Sequence, residues 1–127
     1  MAKQIISTKN APGAVGPYSQ ATLADGLLFV SGQLPMNPET GELIIGDVQA
    51  ATKLCLTNLK AVVEAAGGTL ADVLKTTVFL KDMGDFAPMN EVYATFFTEN
   101  PPARACVQAA ALPKDVDVEI EAVAKIA

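Results

Sequence analysis

Apolar side chains recur at Val48, Ala51, Cys55, Leu59, Val62, Val63 and Ala66, one face of a 3.6-residue period that begins after Asp47 and stops at Gly67. Asp47 is a good N-cap, and Gly67 suits a C-terminal stop. A helix with one such face must be laid on an equally apolar surface, so the rest of the chain has to supply one about five turns long.

The remaining patterns supply it as strands. Ala21 to Ala24 and Leu27 to Ser31 flank Asp25-Gly26, a dipeptide whose tolerance of positive φ favours a two-residue hairpin turn. Leu34 to Gly46, punctuated by Pro35, Pro38, Gly41 and Gly46, reads as a loop. Thr69 caps a single turn before Val73 to Leu80, where β-branched residues and apolar side chains on both alternating faces predict a strand covered on both sides. Asp85 is expected to cap a second helix with Phe86, Met89, Tyr93, Phe96 and Phe97 as its stripe; Pro88 is tolerated in the first turn and Pro101-Pro102 ends any continuation. Arg104 to Ala110 and Asp117 to Lys125, separated by Leu112-Pro113-Lys114-Asp115, are predicted to form a hairpin. Its register would put Gln108 opposite Glu119, gather Arg104, Cys106, Gln108, Glu119 and Glu121 on one face, and leave Val107, Ala109, Val118, Ile120 and Ala122 on the other. The expected fold is α+β, a sheet with two helices on one face. Nothing is left to cover the other face, which predicts a homo-oligomer.

Composition narrows the function. The 127 residues, 50% apolar and 18% charged, are expected to form a single domain over 1–127 with its own core. A net charge of −5 argues against nucleic acid as a partner and for small molecules. Zero histidines exclude Ser-His-Asp and Cys-His catalysis, and a zinc site would need two cysteines and carboxylates, so no metal is expected. Gly67-Gly68 follows a helix rather than preceding one, which is not a phosphate loop, and no nucleotide cofactor is expected. Cys55 lies on the helical stripe as an inert thiol, and Cys55 and Cys106 form no C-x-x-C pair. Met1 to Ser7 lacks signal-peptide features and no apolar run spans a membrane, so the expectation is a cytoplasmic protein with no membrane partner.

Arg104 is the one arginine of the sequence, and only a guanidinium offers a planar, bidentate clamp for a carboxylate. A substrate anchor is the reading adopted; an ordinary surface ion pair is the alternative for any arginine taken alone. Asn90 falls on the apolar arc of the second helix with Phe86, Tyr93 and Phe97, where a polar side chain requires a hydrogen-bond partner. It either lines a cleft or braces the backbone near Arg104, and bracing is preferred.

The run Pro102-Ala103-Arg104-Ala105-Cys106-Val107, then Leu112 and Val118-Glu119-Ile120, resembles the signature of the reactive intermediate deaminases, the Rid or YjgF-like family. Gly16-Pro17-Tyr18-Ser19-Gln20, Ser31-Gly32-Gln33, Lys75-Thr76-Thr77-Val78 and Asn90-Glu91-Val92-Tyr93 resemble further family motifs in the expected order, so the similarity spans essentially the whole chain. The resemblance implies a chorismate-mutase-like α+β sheet of about six strands, assembled as a trimeric barrel with sites in the clefts between subunits. It implies cofactor-independent hydrolysis of 2-iminobutanoate and 2-iminopropanoate, or their enamines, to 2-oxo acids and ammonia. It assigns the substrate carboxylate to Arg104, main-chain contacts rather than thiol chemistry to Cys106, and the attacking water and its protons to Glu119. Pattern alone leaves Asp117 and Glu121 equally open for that last role. Tyr18 would donate its hydroxyl to the water, close the pocket with its ring, or merely pack at the rim. Ser31 and Gly32 would offer a hydroxyl and close backbone approach, or simply end a strand. The rival reading is a non-catalytic trimeric module that binds 2-oxo acids and similar small carboxylates as a sensor.

Overall fold

The computed structural model of the protein describes residues 2–127; Met1, where the segment read for signal-peptide features begins, lies outside them. Strands β1 (Gln4–Ile6), β2 (Ala21–Ala24) and β3 (Leu27–Gln33) are followed by helix α1 (Val48–Ala65), strand β4 (Val73–Leu80), helix α2 (Phe86–Phe96), and strands β5 (Ala103–Gln108) and β6 (Val118–Lys125). They form one six-stranded mixed sheet in the order β1-β2-β3-β6-β4-β5. Only β4 and β5 run parallel; the other neighbours are antiparallel.

Helix α1 forms where its stripe predicts. The Asp47 carboxylate accepts the Ala50 N–H at 3.1 Å, satisfying one orphan donor of the first turn. At the other end Gly67 sits at φ +93°, and the bonds Gly67 N–H to Glu64 O and Gly68 N–H to Val63 O close a Schellman motif. Cys55, Leu56, Leu59, Val62 and Val63 are fully buried, packed with Leu28, Val78, Leu80, Val118 and Ile120 of the sheet. Burying each of these larger aliphatic side chains contributes about 1.5–3 kcal/mol before conformational entropy is charged. Asn58 is buried as well, and its amide donates to Leu34 O and Met36 O, which holds the 34–46 loop against the helix.

The β2–β3 hairpin turns through Asp25 at φ 52° and Gly26 at φ 77°, as the dipeptide requires. Thr69 and Asp72 form a reciprocal capping box on the single turn before β4. Four expectations need correction. Strand β1 was not foreseen, because only Ile6 of its three residues is buried. Asp85 makes no capping bond; Asp82, still extended, accepts the Gly84 N–H at 2.8 Å and starts a 3-10 turn that runs into α2. β4 is covered on one face only, its Thr77 and Phe79 side being half-buried.

The fourth correction matters most for function. β5 and β6 are not a hairpin. The link between them passes through Lys114 and Asp115, both left-handed at φ 56° and 59°, and β6 inserts between β3 and β4. The burial of each strand explains the choice. Val118, Ile120, Ala122 and Ala124 are all buried, which suits a central position, whereas none of the β5 residues is. Paired residues share a face, and the register pairs Thr76, Val78 and Leu80 with Arg104, Cys106 and Gln108 on one side and with Ala122, Ile120 and Val118 on the other. Arg104, Cys106 and Gln108 therefore lie on the helix-covered face. Glu119 and Glu121 lie on the opposite, open face with Phe79 and Thr77, and Val107 joins them there. That open face also exposes Phe29, Ile5 and Val107 at 51%, 52% and 43%.

Candidate active site

Two clusters hold the residues singled out by sequence. The first surrounds Arg104 on edge strand β5, beside an open cavity of about 410 Å³ lined by Asn90, Tyr93, Ala94, Phe97, Pro101 and Arg104 itself. Guanidinium Nη1 donates to Asn90 Oδ1 at 2.6 Å. Asn90 thus braces the arginine side chain rather than the backbone near it. The Cζ atom sits 4.8 Å from the Tyr93 ring centroid and 5.5 Å from that of Phe86. Each such cation–π contact is worth about 0.5–2 kcal/mol depending on solvation. Phe86, Asn90 and Tyr93 recur at helical spacing, so one face of α2 presents the whole bracket. Among the described residues Arg104 has no carboxylate partner; the one ion pair joins Lys81 and Asp115 at 3.0 Å. The remaining guanidinium donors stay available to a bound anion.

Cys106 is half-buried beside this cluster, and burial raises its thiol above the ordinary range, with Arg104 pulling the other way. It is a thiol rather than a poised thiolate. Its main chain is better placed for binding. Ala109 donates its N–H toward β4, to Leu80 O at 2.9 Å, and strand alternation then turns the N–H and C=O of Cys106 toward the free edge of the sheet. Cys55 lies in the core with its thiol directed at Val118 O, 3.6 Å away, and burial raises its pKa as well.

The second cluster surrounds Glu119 on β6. This carboxyl is half-buried, and its pKa is pushed up first by burial and then by the nearby Glu121. Among the described residues it accepts no hydrogen bond from a side chain or loop. Gly32 leaves the room it occupies. A Cβ at Gly32 would collide with Glu119 Oε2 and stand 2.8 Å from Cδ, so any side chain there would displace the end of the carboxylate from its present position. The β3–β6 register shifts between Val30 and Gln33, and this bulge carries Ser31 and Gly32 past the acidic residue. The Ser31 hydroxyl is engaged, donating to Ser19 O at 2.6 Å, so it fixes the loop that presents Tyr18. Tyr18 is half exposed, and its hydroxyl accepts the Val15 N–H at 3.4 Å. A cavity of about 140 Å³ behind the ring is lined by Tyr18, Gly32, Gln33, Leu34, Met36 and Lys114.

Sequence reading missed three contributors. Buried Gln20 accepts from Thr8 N–H and donates to Thr8 O, Ala11 O and Pro12 O, tying down the loop ahead of Tyr18. Lys114 enters the cavity lining from a left-handed backbone position that its residue type does not advertise. Tyr93 stands in the apolar stripe and in the Asn90-Glu91-Val92-Tyr93 motif without an assigned role, although its spacing of three from Asn90 on one helix face is a usable signal. No group of three or more metal-ligating side chains converges among the described residues, and no described helix is long and apolar enough to cross a membrane.

The clusters stand back to back. Arg104 and Glu119 are on opposite faces of the sheet and two strand spacings apart, about 10 Å across the strands alone. Within one copy a four-carbon ligand cannot touch both.

The family described as Endoribonuclease L-PSP matches residues 8–126 of the chain. A RutC family protein of Pyrococcus horikoshii is 56% identical over 122 residues, covering 96% of this chain and 97% of the relative. The 2-iminobutanoate/2-iminopropanoate deaminase of Escherichia coli K12 is 52% identical over 122 residues, 94% of each chain. Among solved structures, Escherichia coli TdcF with bound serine superposes with a TM-score of 0.93 at 50% identity, covering 98% of this chain and 99% of that one. The chain therefore belongs to the Endoribonuclease L-PSP family, the YjgF/Rid family.

Proposed function

We propose that the protein is a hydrolytic deaminase of 2-imino acids and their enamines, with 2-iminobutanoate and 2-iminopropanoate as substrates, acting at a site shared between copies of a cytoplasmic homotrimer. The observation that carries this reading is the braced guanidinium of Arg104, oriented by Asn90 and two aromatic rings yet without a carboxylate of its own. It suits a bidentate grip on the substrate carboxylate, with the free-edge main chain of Cys106 alongside. The Tyr18, Gly32 and Glu119 cluster of a second copy then supplies the chemistry. Covering the apolar open face with further copies favours such an assembly.

With the carboxylate held, water adds its oxygen to the imine carbon while Glu119 takes the departing proton. Glu119 returns that proton to nitrogen to give a carbinolamine, then carries the carbinolamine hydroxyl proton to nitrogen as the C=O bond forms and the C–N bond breaks, and the 2-oxo acid and ammonia leave. A carboxyl whose pKa is raised toward the working pH is suited to both transfers. The imine carbon is already electrophilic, so positioning, a placed water and a proton path suffice, and the reaction calls on no cofactor. The relative named 2-iminobutanoate/2-iminopropanoate deaminase supports the substrate class. Ribonuclease activity, the family's descriptive name, is disfavoured by the net charge of −5 and by the absence of histidine.

The test generates the imine with threonine dehydratase in the presence of semicarbazide as a trap, and follows ammonia and 2-oxobutanoate release. Wild type is expected to accelerate release, and Arg104→Ala to lose at least about 30-fold in kcat/KM, the cost of removing one partner of a hydrogen-bonded charge pair. No acceleration by a folded, assembled sample would sink the deaminase reading and favour a 2-oxo acid binding module.

A further inference from the structure

We infer that Tyr93, pinned by Thr76, is a positioning residue that sets the plane of the Arg104 guanidinium. Thr76 is 1% exposed and Tyr93 6%, and their hydroxyls lie 2.6 Å apart. Thr76 is also the β4 residue paired with Arg104 in the β4–β5 register. The arrangement therefore closes a ring: Arg104 lies beside Thr76 in the strand pairing, the Thr76 hydroxyl meets the Tyr93 hydroxyl, and the Tyr93 ring faces the guanidinium. Phe97 backs the ring at a centroid distance of 4.9 Å, and Asn90, one turn earlier on α2, holds Nη1 from the side. A hydrogen bond and a ring face together define both where the guanidinium stands and how it is turned.

Stability alone does not account for this arrangement. A phenylalanine at 93 and a valine at 76 would fill the same space without burying two hydroxyls, and replacing both partners of a buried bond is often nearly neutral. What the hydroxyl pair adds is a fixed position for the far end of the Tyr93 ring, tied to the strand paired with the one that carries the arginine. Burial holds the Tyr93 phenol above its ordinary pKa, so it remains a neutral hydroxyl.

The single arginine makes the inference directly readable, because its side-chain N–H signals belong to Arg104 alone. In nitrogen-15 spectra of the full chain, a pinned guanidinium shows separate Nη signals from restricted rotation about its C–N bonds. Tyr93→Phe and Thr76→Val are each expected to average those signals and to lower the melting temperature. The double variant is expected to regain stability, since no hydroxyl is left unpaired, while its Nη signals stay averaged. Signals still separate in Tyr93→Phe, or recovering with stability in the double variant, would overturn the inference.

The consequence for turnover rests on the deaminase reading. There Tyr93→Phe should raise KM about tenfold with kcat within about twofold, the pattern of weakened ground-state and transition-state grip alike. A fall in kcat at unchanged KM would count against positioning of the anchor. Wild type lacking deaminase activity would remove the functional reading and leave the spectroscopic result standing.

Discussion

Around Arg104 the chain fixes one side chain with others: an amide, two rings and a hydroxyl pair reach it from α2 and β4. Around Glu119 it works with backbone and empty space, through a bulge at Ser31–Gly32 and the missing Cβ of Gly32. The first design distributes its control over several contacts, so each can be weakened separately. The second concentrates it at one atom position. Loss of function should accordingly be graded in the anchor cluster and abrupt in the carboxylate cluster.

The harshest test of that contrast is Gly32→Ala. One methyl group must push Glu119 aside, and a misplacement of about 1 Å in a reacting group can cost on the order of 100-fold. The expected result is a fall of roughly that size in kcat with KM little changed. Near wild-type turnover would mean that Glu119 moves freely and that the cluster is not built around glycine. Asn90→Asp probes the anchor with almost no change of shape. A carboxylate at the present 2.6 Å contact would neutralise Arg104 internally. KM should rise about tenfold while the melting temperature holds or increases, because a bidentate grip is lost but an ion pair is gained. A parallel loss of stability and affinity would instead mark Asn90 as a packing residue.

The mildest expected effect concerns pH. Burial is the larger cause of the raised Glu119 pKa and Glu121 the smaller. Glu121→Gln should let Glu119 ionise at lower pH, moving the acid limb of kcat/KM in that direction without abolishing activity. The same sign governs stability. A carboxyl raised in the folded state favours folding most below its unfolded pKa, and that contribution fades as pH rises through the folded value. Glu121→Gln should therefore stabilise the protein slightly at neutral pH, by less than about 1 kcal/mol, because solvent around the exposed Glu121 screens the pair. An unmoved acid limb would separate Glu119 from the rate.

Much of this architecture is legible before any coordinates. Asp47, the α1 stripe and Gly67 define a helix from cap to stop, and Asp25-Gly26 specifies its turn, because these are local interactions written in adjacent residues. β5 and β6 mislead for a physical reason. A four-residue turn, Leu112 to Asp115, satisfies the distance requirement of a hairpin, and its left-handed Lys114 and Asp115 carry no glycine to announce them. What decides the pairing is competition for the middle of the sheet, which β6 wins with four buried aliphatic residues against an edge strand bearing Arg104, Cys106 and Gln108. That comparison is non-local. Its functional cost is that the pattern places Arg104 and Glu119 on one face, where the sheet puts them on opposite faces.

The back-to-back placement of the two clusters gives concentration a role in the chemistry. If one substrate needs both, an isolated chain carries every required side chain and still has no place where they meet. Specific activity would then depend on how many chains are associated, falling on dilution and recovering on reconcentration while each chain's secondary structure stays as it was. Mixing a chain impaired only at Arg104 with one impaired only at Glu119 would restore some intact clefts from two inactive parents. Complementation of that kind is the behaviour of a reaction vessel whose walls belong to different molecules.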